Sequence, residues 1–209
     1  MQETSNPRLD INTAVALRDL CTSAIQTWTL LIELFDNNEY IDFFKQPRNE
    51  HFFHAIKTAL HWQLITQISK LHDPATTKYK DKIFSNLSIP LIINKYTWDN
   101  QTKSQLLNIE KKMNDLDFTS SFKSARNKYS SHNDLEEILQ DPYFAEFGKN
   151  NDNDYFEYLT EFMNIISKLI LEEPYNSFIC ETKTDALDFI KTYKIGYQNR
   201  FHDTPHTSI

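Results

Sequence analysis

The chain has 209 residues, of which 40% are hydrophobic and 13% aromatic, and it carries a formal charge of −7. That is enough apolar material for one large domain or two small ones, and the negative balance excludes a surface that is basic all over, so any nucleic-acid site has to be a local patch. Gly148 and Gly196 are the only glycines, which excludes the glycine-rich phosphate cradles of Rossmann and P-loop proteins and leaves hairpin turns that need positive φ with almost no raw material.

The pattern along the chain is helical nearly throughout. Leu17, Cys21, Ala24, Trp28, Leu31 and Phe35 alternate spacings of four and three, predicting a first helix over about residues 10 to 37. A polar break, "DNNEYIDFFKQPRNE", follows, and Phe53, Ile56, Leu60, Leu64, Ile68 and Leu71 then restart the period as a second helix that stops at "HDPA". Pro74 disfavours helical geometry at Asp73, whose side chain can cap or turn the chain. Residues 82 to 96, "KIFSNLSIPLIINKY", read as a short irregular helix interrupted by Pro90, and residues 100 to 114 as a helix carrying Leu106, Leu107, Ile109 and Met113.

The next helix starts near Asp117 or Thr119, either a suitable cap, and presents Phe118, Phe122, Ala125 and Tyr129 as one stripe. A loop-like acidic stretch, "NDLEEILQDPYFAEFGKNNDND", leads to an amphipathic helix over about 154 to 173 with Tyr155, Leu159, Phe162, Ile166 and Leu169 on its buried side, ended by Pro174. A last helix, "TDALDFIKTYKIGYQN", precedes the tail "RFHDTPHTSI". No convincing β alternation and no internal repeat is seen. The expected architecture is an all-α helical bundle in a single domain: a core over about 10 to 173, a helical extension over 174 to 200, and a tail from 201 to 209.

Cys21 and Cys180 lie far apart without a C-x-x-C, which argues against a zinc site and a disulfide scaffold and fits a reducing cytoplasm. No basic-then-apolar leader begins the sequence, and the longest aliphatic run, around "IPLII", is far short of the ~20 residues of a membrane span. A soluble cytoplasmic protein without membrane partners is expected.

The chemistry is concentrated in "FTSSFKSARNKYSSHND", residues 118 to 134, where Arg126 and His132 stand with Lys123 and Lys128 and no carboxylate intervenes between Asp117 and Asp134. On a helix, Arg126 falls ~70° to one side of the apolar stripe and His132 ~50° to the other, ~9 Å apart along the axis. One copy of the helix does not bring both onto one small group; two copies related by a two-fold axis can. The plain alternative is a pair of cations near a helix end, stabilised by its dipole.

"RNKYSSH" resembles the R-x(4–6)-H motif of the HEPN superfamily, and the wider sequence resembles the abortive-infection U-type (AbiU-like) HEPN proteins. Those pair an "R-[DN]-K-x-x-[AS]-H-x-D" helix with an earlier "L-x-D-P-A" turn, matched here by "LHDPA" at residues 71 to 75. The resemblance covers roughly residues 10 to 172. It implies a HEPN-type bundle that dimerises through the motif helices and a metal-independent endoribonuclease acting as a toxin or phage-defence effector. In that reading His132 accepts the 2′-hydroxyl proton, Arg126 binds the scissile phosphate and stabilises its transition state, and Asn127 orients the phosphate or the histidine. Lys123 and Lys128 hold flanking phosphates in a salt-dependent way. Asp73, Tyr129 and Asp134 are supporting candidates, although Asp73 before a proline is more often a cap. Asp134 also occupies the position, two after the histidine, where HEPN toxins silenced by nucleotide transfer usually carry tyrosine, which points to a different cognate antitoxin encoded nearby, or to none.

The alternative function is a non-catalytic HEPN dimer serving as a protein- or nucleotide-binding module. A DNA-binding regulator lacks a recognition helix and has the wrong charge. No cofactor or metal is expected. His54, His61 and His72 recur on one helix face with His51 a turn earlier, but seven residues of helix span ~10 Å, too far to share an ion; only His51 with His54 is close enough, and a lone pair is a weak site, so these read as residues at the edge of the core. Asp134, Glu136, Glu137, Asp141 and Glu146 lack the glycine and spacing of a calcium loop and read as a solvated connection.

Overall fold

A computed structural model describes residues 8–36, 38–116, 122 and 151–202. Among the described residues there are seven α-helices: α1 (Ile11–Leu31), α2 (Asn38–Phe44), α3 (Glu50–Leu71), α4 (Ile89–Lys95), α5 (Asn100–Asp115), α6 (Asn151–Ile166) and α7 (Ile179–His202). Two π-helical turns, Ile32–Asp36 and Ser167–Leu171, continue α1 and α6, and strands β1 (Thr76–Tyr79) and β2 (Lys82–Ser85) form one small antiparallel sheet. Among the described residues the fold is all-α apart from this hairpin. It divides into two compact units, Met1–Ile25 with Gln63–Ser177, and Gln26–Trp62 with Phe178–Ile209.

The first unit is built on the predicted stripes. Leu17, Cys21 and Ala24 of α1 are fully buried, as are Leu64, Ile68 and Leu71 at the end of α3. Helices α5 and α6 pack along one another, burying Leu106, Ile109 and Met113 on one and Tyr155, Leu159, Phe162 and Ile166 on the other. Leu107, expected with them, is 43% exposed because Thr102, Leu106, Ile109 and Met113 already complete the inward face. Leu169 is 51% exposed. It sits in the Ser167–Leu171 π turn, whose wider winding rotates it off the stripe that a regular period would have kept it on.

The hairpin corrects two expectations. Residues 82–85 are a strand, and the helix expected there begins only at Ile89, with Pro90 in its first turn, where a missing N–H costs nothing. Ser88 caps it by accepting the Leu91 amide at 3.3 Å. The turn is made without glycine, by Lys80 at φ 53° between paired Tyr79 and Lys82. Asn86 closes the hairpin's base: its side-chain amide donates to the Pro74 carbonyl at 2.7 Å and to Thr77 Oγ1 at 2.6 Å, and its backbone amide to the Ala75 carbonyl at 3.0 Å.

The second unit is an aromatic core. Leu34, Tyr40, Phe43, Phe44, Phe53, Ala186 and Ile190 are buried together, with Phe44 and Phe53 ring centroids 4.1 Å apart and Phe43 meeting Tyr197 edge-on at 86°. Buried Asn49 joins the pieces, donating to the Phe43 carbonyl at 3.1 Å and accepting from the Tyr193 hydroxyl at 3.2 Å. Lys183 pairs with Glu33 at 2.7 Å. Helix α7 therefore starts earlier than the expected residues 184–199 and supplies Ala186 and Ile190 to this core.

Candidate functional site

The residues assigned catalysis and RNA contact from sequence, Arg126, Asn127, His132, Lys123 and Lys128, with Tyr129 and Asp134, lie outside the described residues. So does the acidic cluster from Asp134 to Glu146. What is described is the frame on either side. Asn151, at the start of α6, donates its side-chain amide to the Leu116 carbonyl at 3.2 Å, joining the residues that precede and follow that stretch. Phe122 is buried, and its carbonyl accepts the hydroxyl of buried Ser69 at 3.4 Å. Phe122, four residues before Arg126 in sequence, is thus fixed against the last turn of α3.

That last turn runs into the "LHDPA" corner. The His72 amide still donates four residues back to Ile68, at 3.2 Å, whereas the Asp73 amide donates three back to Lys70, a tightening that completes the helix end before Pro74. Asp73 is half-buried. His72 is not an edge residue but a buried one: Nε2 lies 2.9 Å from the Tyr155 hydroxyl, with both side chains in the core. The signal was present in the sequence, since His72 stands four after Ile68 and so continues the inward face of α3.

Around this pair the core holds several protonated groups. Burial pushes the Tyr155 phenol well above its ordinary value, with the Cys21 thiol nearby adding to the effect. Burial likewise raises the Cys21 thiol. Tyr175 is raised by burial and by Cys21, against which its bond to Thr22 Oγ1 at 3.1 Å and the charge of Arg18 act only partly. Arg18 is itself held by Glu173 at 2.9 Å. A tyrosine kept neutral and hydrogen-bonded to a buried imidazole is a structural pair; it ties the α3 corner to α6, and through Ser69 the same corner holds Phe122. Among the described residues no three His, Cys, Asp or Glu side chains converge as metal ligands, and no helix is long and apolar enough to cross a membrane.

A family model described as AbiU2, of HEPN type, matches residues 11–193. The chain belongs to the AbiU2 family of HEPN proteins. The match runs from the start of α1 through the "LHDPA" corner and the "RNKYSSH" segment into α7. The AbiU2 resemblance was expected to end near residue 172, so the match carries the family into the helix that completes the second unit. No curated protein and no solved structure matches the AbiU2 chain. The family places it among abortive-infection HEPN proteins.

Proposed function

We propose that this AbiU2 protein is a metal-independent endoribonuclease, a cytoplasmic toxin or phage-defence effector whose site is completed by a homodimer. The observation that carries the reading is the R-x5-H segment from Arg126 to His132, which falls within the family match together with its companion corner, Leu71 to Ala75. Support comes from the bond that fixes Phe122, four residues ahead of Arg126, to Ser69, two residues before that corner.

The chemistry follows from the residue types. His132 takes the proton of an RNA 2′-hydroxyl, the 2′-oxygen attacks the adjacent phosphorus, and the bond to the 5′-oxygen breaks as that oxygen takes up a proton. Arg126, permanently charged and bidentate, neutralises the phosphorane, Asn127 orients it, and Lys123 and Lys128 hold neighbouring phosphates. Asp73, Tyr129 and Asp134 support the site, and a nearby-encoded antitoxin would restrain it. The test is RNA cleavage by the purified protein in EDTA, leaving 2′,3′-cyclic phosphate or 3′-phosphate ends. Arg126→Ala and His132→Ala should each reduce the rate about a hundredfold or more with helicity intact. Chelator-sensitive cleavage, or full activity in both variants, overturns the assignment.

A further inference from the structure

We propose that the β1–β2 hairpin is a binding arm for single-stranded RNA, an inference that rests on the ribonuclease reading for the arm's purpose. All ten residues from Thr76 to Ser85 are exposed, including three large apolar side chains, Tyr79 at 65%, Ile83 at 72% and Phe84 at 50%. A ribbon with no core behind it gains nothing from rings in water, and such a patch marks an interaction surface.

The register says which side chains act together. Thr77 pairs with Phe84 and Tyr79 with Lys82, so Tyr79, Phe84 and Lys82 share one face while Lys78 and Ile83 take the other. Tyr79 and Phe84 are diagonal neighbours, ~7–8 Å apart, about twice the ~3.4 Å spacing of stacked bases, which leaves room for a base on each ring. Lys80 Nζ stands 5.5 Å from the Tyr79 ring centre, and Lys95 reaches the hairpin's base, 3.5 Å from Ser85 Oγ. Against these four lysines the hairpin carries only Asp81, in a chain whose overall charge is −7.

Interleaved lysines and aromatic rings are what a single strand requires: cations for the backbone and flat faces for bases. An anionic membrane would use the same lysines, but the tip of the arm is Lys80–Asp81, and inserting the rings would carry both charges toward the acyl region. The arm is also rooted where it is useful. It leaves α3 at Pro74, clamped by Asn86, from the same corner at which Ser69 holds Phe122.

The test measures binding of a short fluorescein-labelled oligouridine by the full chain carrying Arg126→Ala and His132→Ala, so that nothing is cut. Adding Tyr79→Ser with Phe84→Ser should weaken binding about tenfold or more without changing its salt dependence. Adding Lys78→Ser, Lys80→Ser and Lys82→Ser should lower the slope of log K against log salt by about two. Unchanged affinity in both sets, with unchanged melting temperature, overturns the arm, as does binding to phosphatidylserine vesicles with no binding to the RNA. Cleavage that depends on Arg126 and His132 while RNA affinity ignores the hairpin removes the arm and leaves the nuclease. Arm-dependent binding by a wild-type protein that cuts nothing does the reverse.

Discussion

At the residue scale the buried His72–Tyr155 bond is the most exposed to challenge, because neither partner has water to fall back on. Tyr155→Phe keeps the ring but removes the hydroxyl that meets His72 Nε2 in the core, and should lower unfolding free energy by about 1–3 kcal/mol, measured by urea denaturation. A loss below a few tenths would mean that His72 finds another partner at once. The same pocket sets an alkaline limit. Cys21, Tyr155 and Tyr175 have folded pKa values above their ordinary 9.0, 10.0 and 10.0, so the unfolded chain releases these protons first. Their contribution to stability is then complete below pH 9 and is lost as pH rises, by up to ~1.4 kcal/mol per pH unit for each group. Replacing Cys21 with alanine should delay the downturn by about one pH unit, to the tyrosine range; a urea midpoint that still falls from pH 9 would assign it elsewhere.

At the scale of the elements, caps and stripes account for most of the helices. Asp99 starts α5 by accepting the Thr102 amide at 2.9 Å and its hydroxyl at 2.6 Å, and these bonds hold its carboxyl below the usual range. A lowered carboxylate stabilises above its unfolded pKa of 3.8 and loses that contribution as pH falls through the folded value. Asp99→Ala should therefore lower the melting temperature more at pH 7 than at pH 2, compared by thermal melts at the two values. Much of this level was legible beforehand. The three-and-four spacing located α1, α3, α5 and α6 because burial on one side of a 3.6-residue period leaves that trace. The hairpin was not legible, since "TTKYKDKIFS" has exposed residues on both faces and no glycine to mark the turn. Nor was the π turn at Ser167–Leu171, which a fixed period cannot register. Arg126 and His132, the two residues proposed for catalysis, were read from residue types and family pattern, and they lie outside the described residues.

For the whole molecule, the family match reaching residue 193 gives α7 a place in the fold. Ile190, 1% exposed among Phe43, Phe44 and Phe53, should cost about 2–5 kcal/mol when cut to alanine, seen in denaturant unfolding; a negligible loss would mean that α7 is an appendage. The proposed dimer makes its own prediction. If the cleft takes Arg126 and His132 from both protomers, inactive Arg126→Ala and inactive His132→Ala proteins, mixed and allowed to exchange, should regain part of the activity, since the hybrid retains one of each. Mixtures as silent as their parents in a cleavage assay, with exchange verified by size or tag, argue for sites within single protomers.

The bond between Leu116 and Asn151 spans thirty-five positions of sequence with one 3.2 Å contact. The sequence that carries the R-x5-H motif therefore lies between two ends held within hydrogen-bonding distance of each other. Both atoms of that contact belong to residues outside the motif, so substitutions at Arg126 and His132 leave the junction's own donor and acceptor in place.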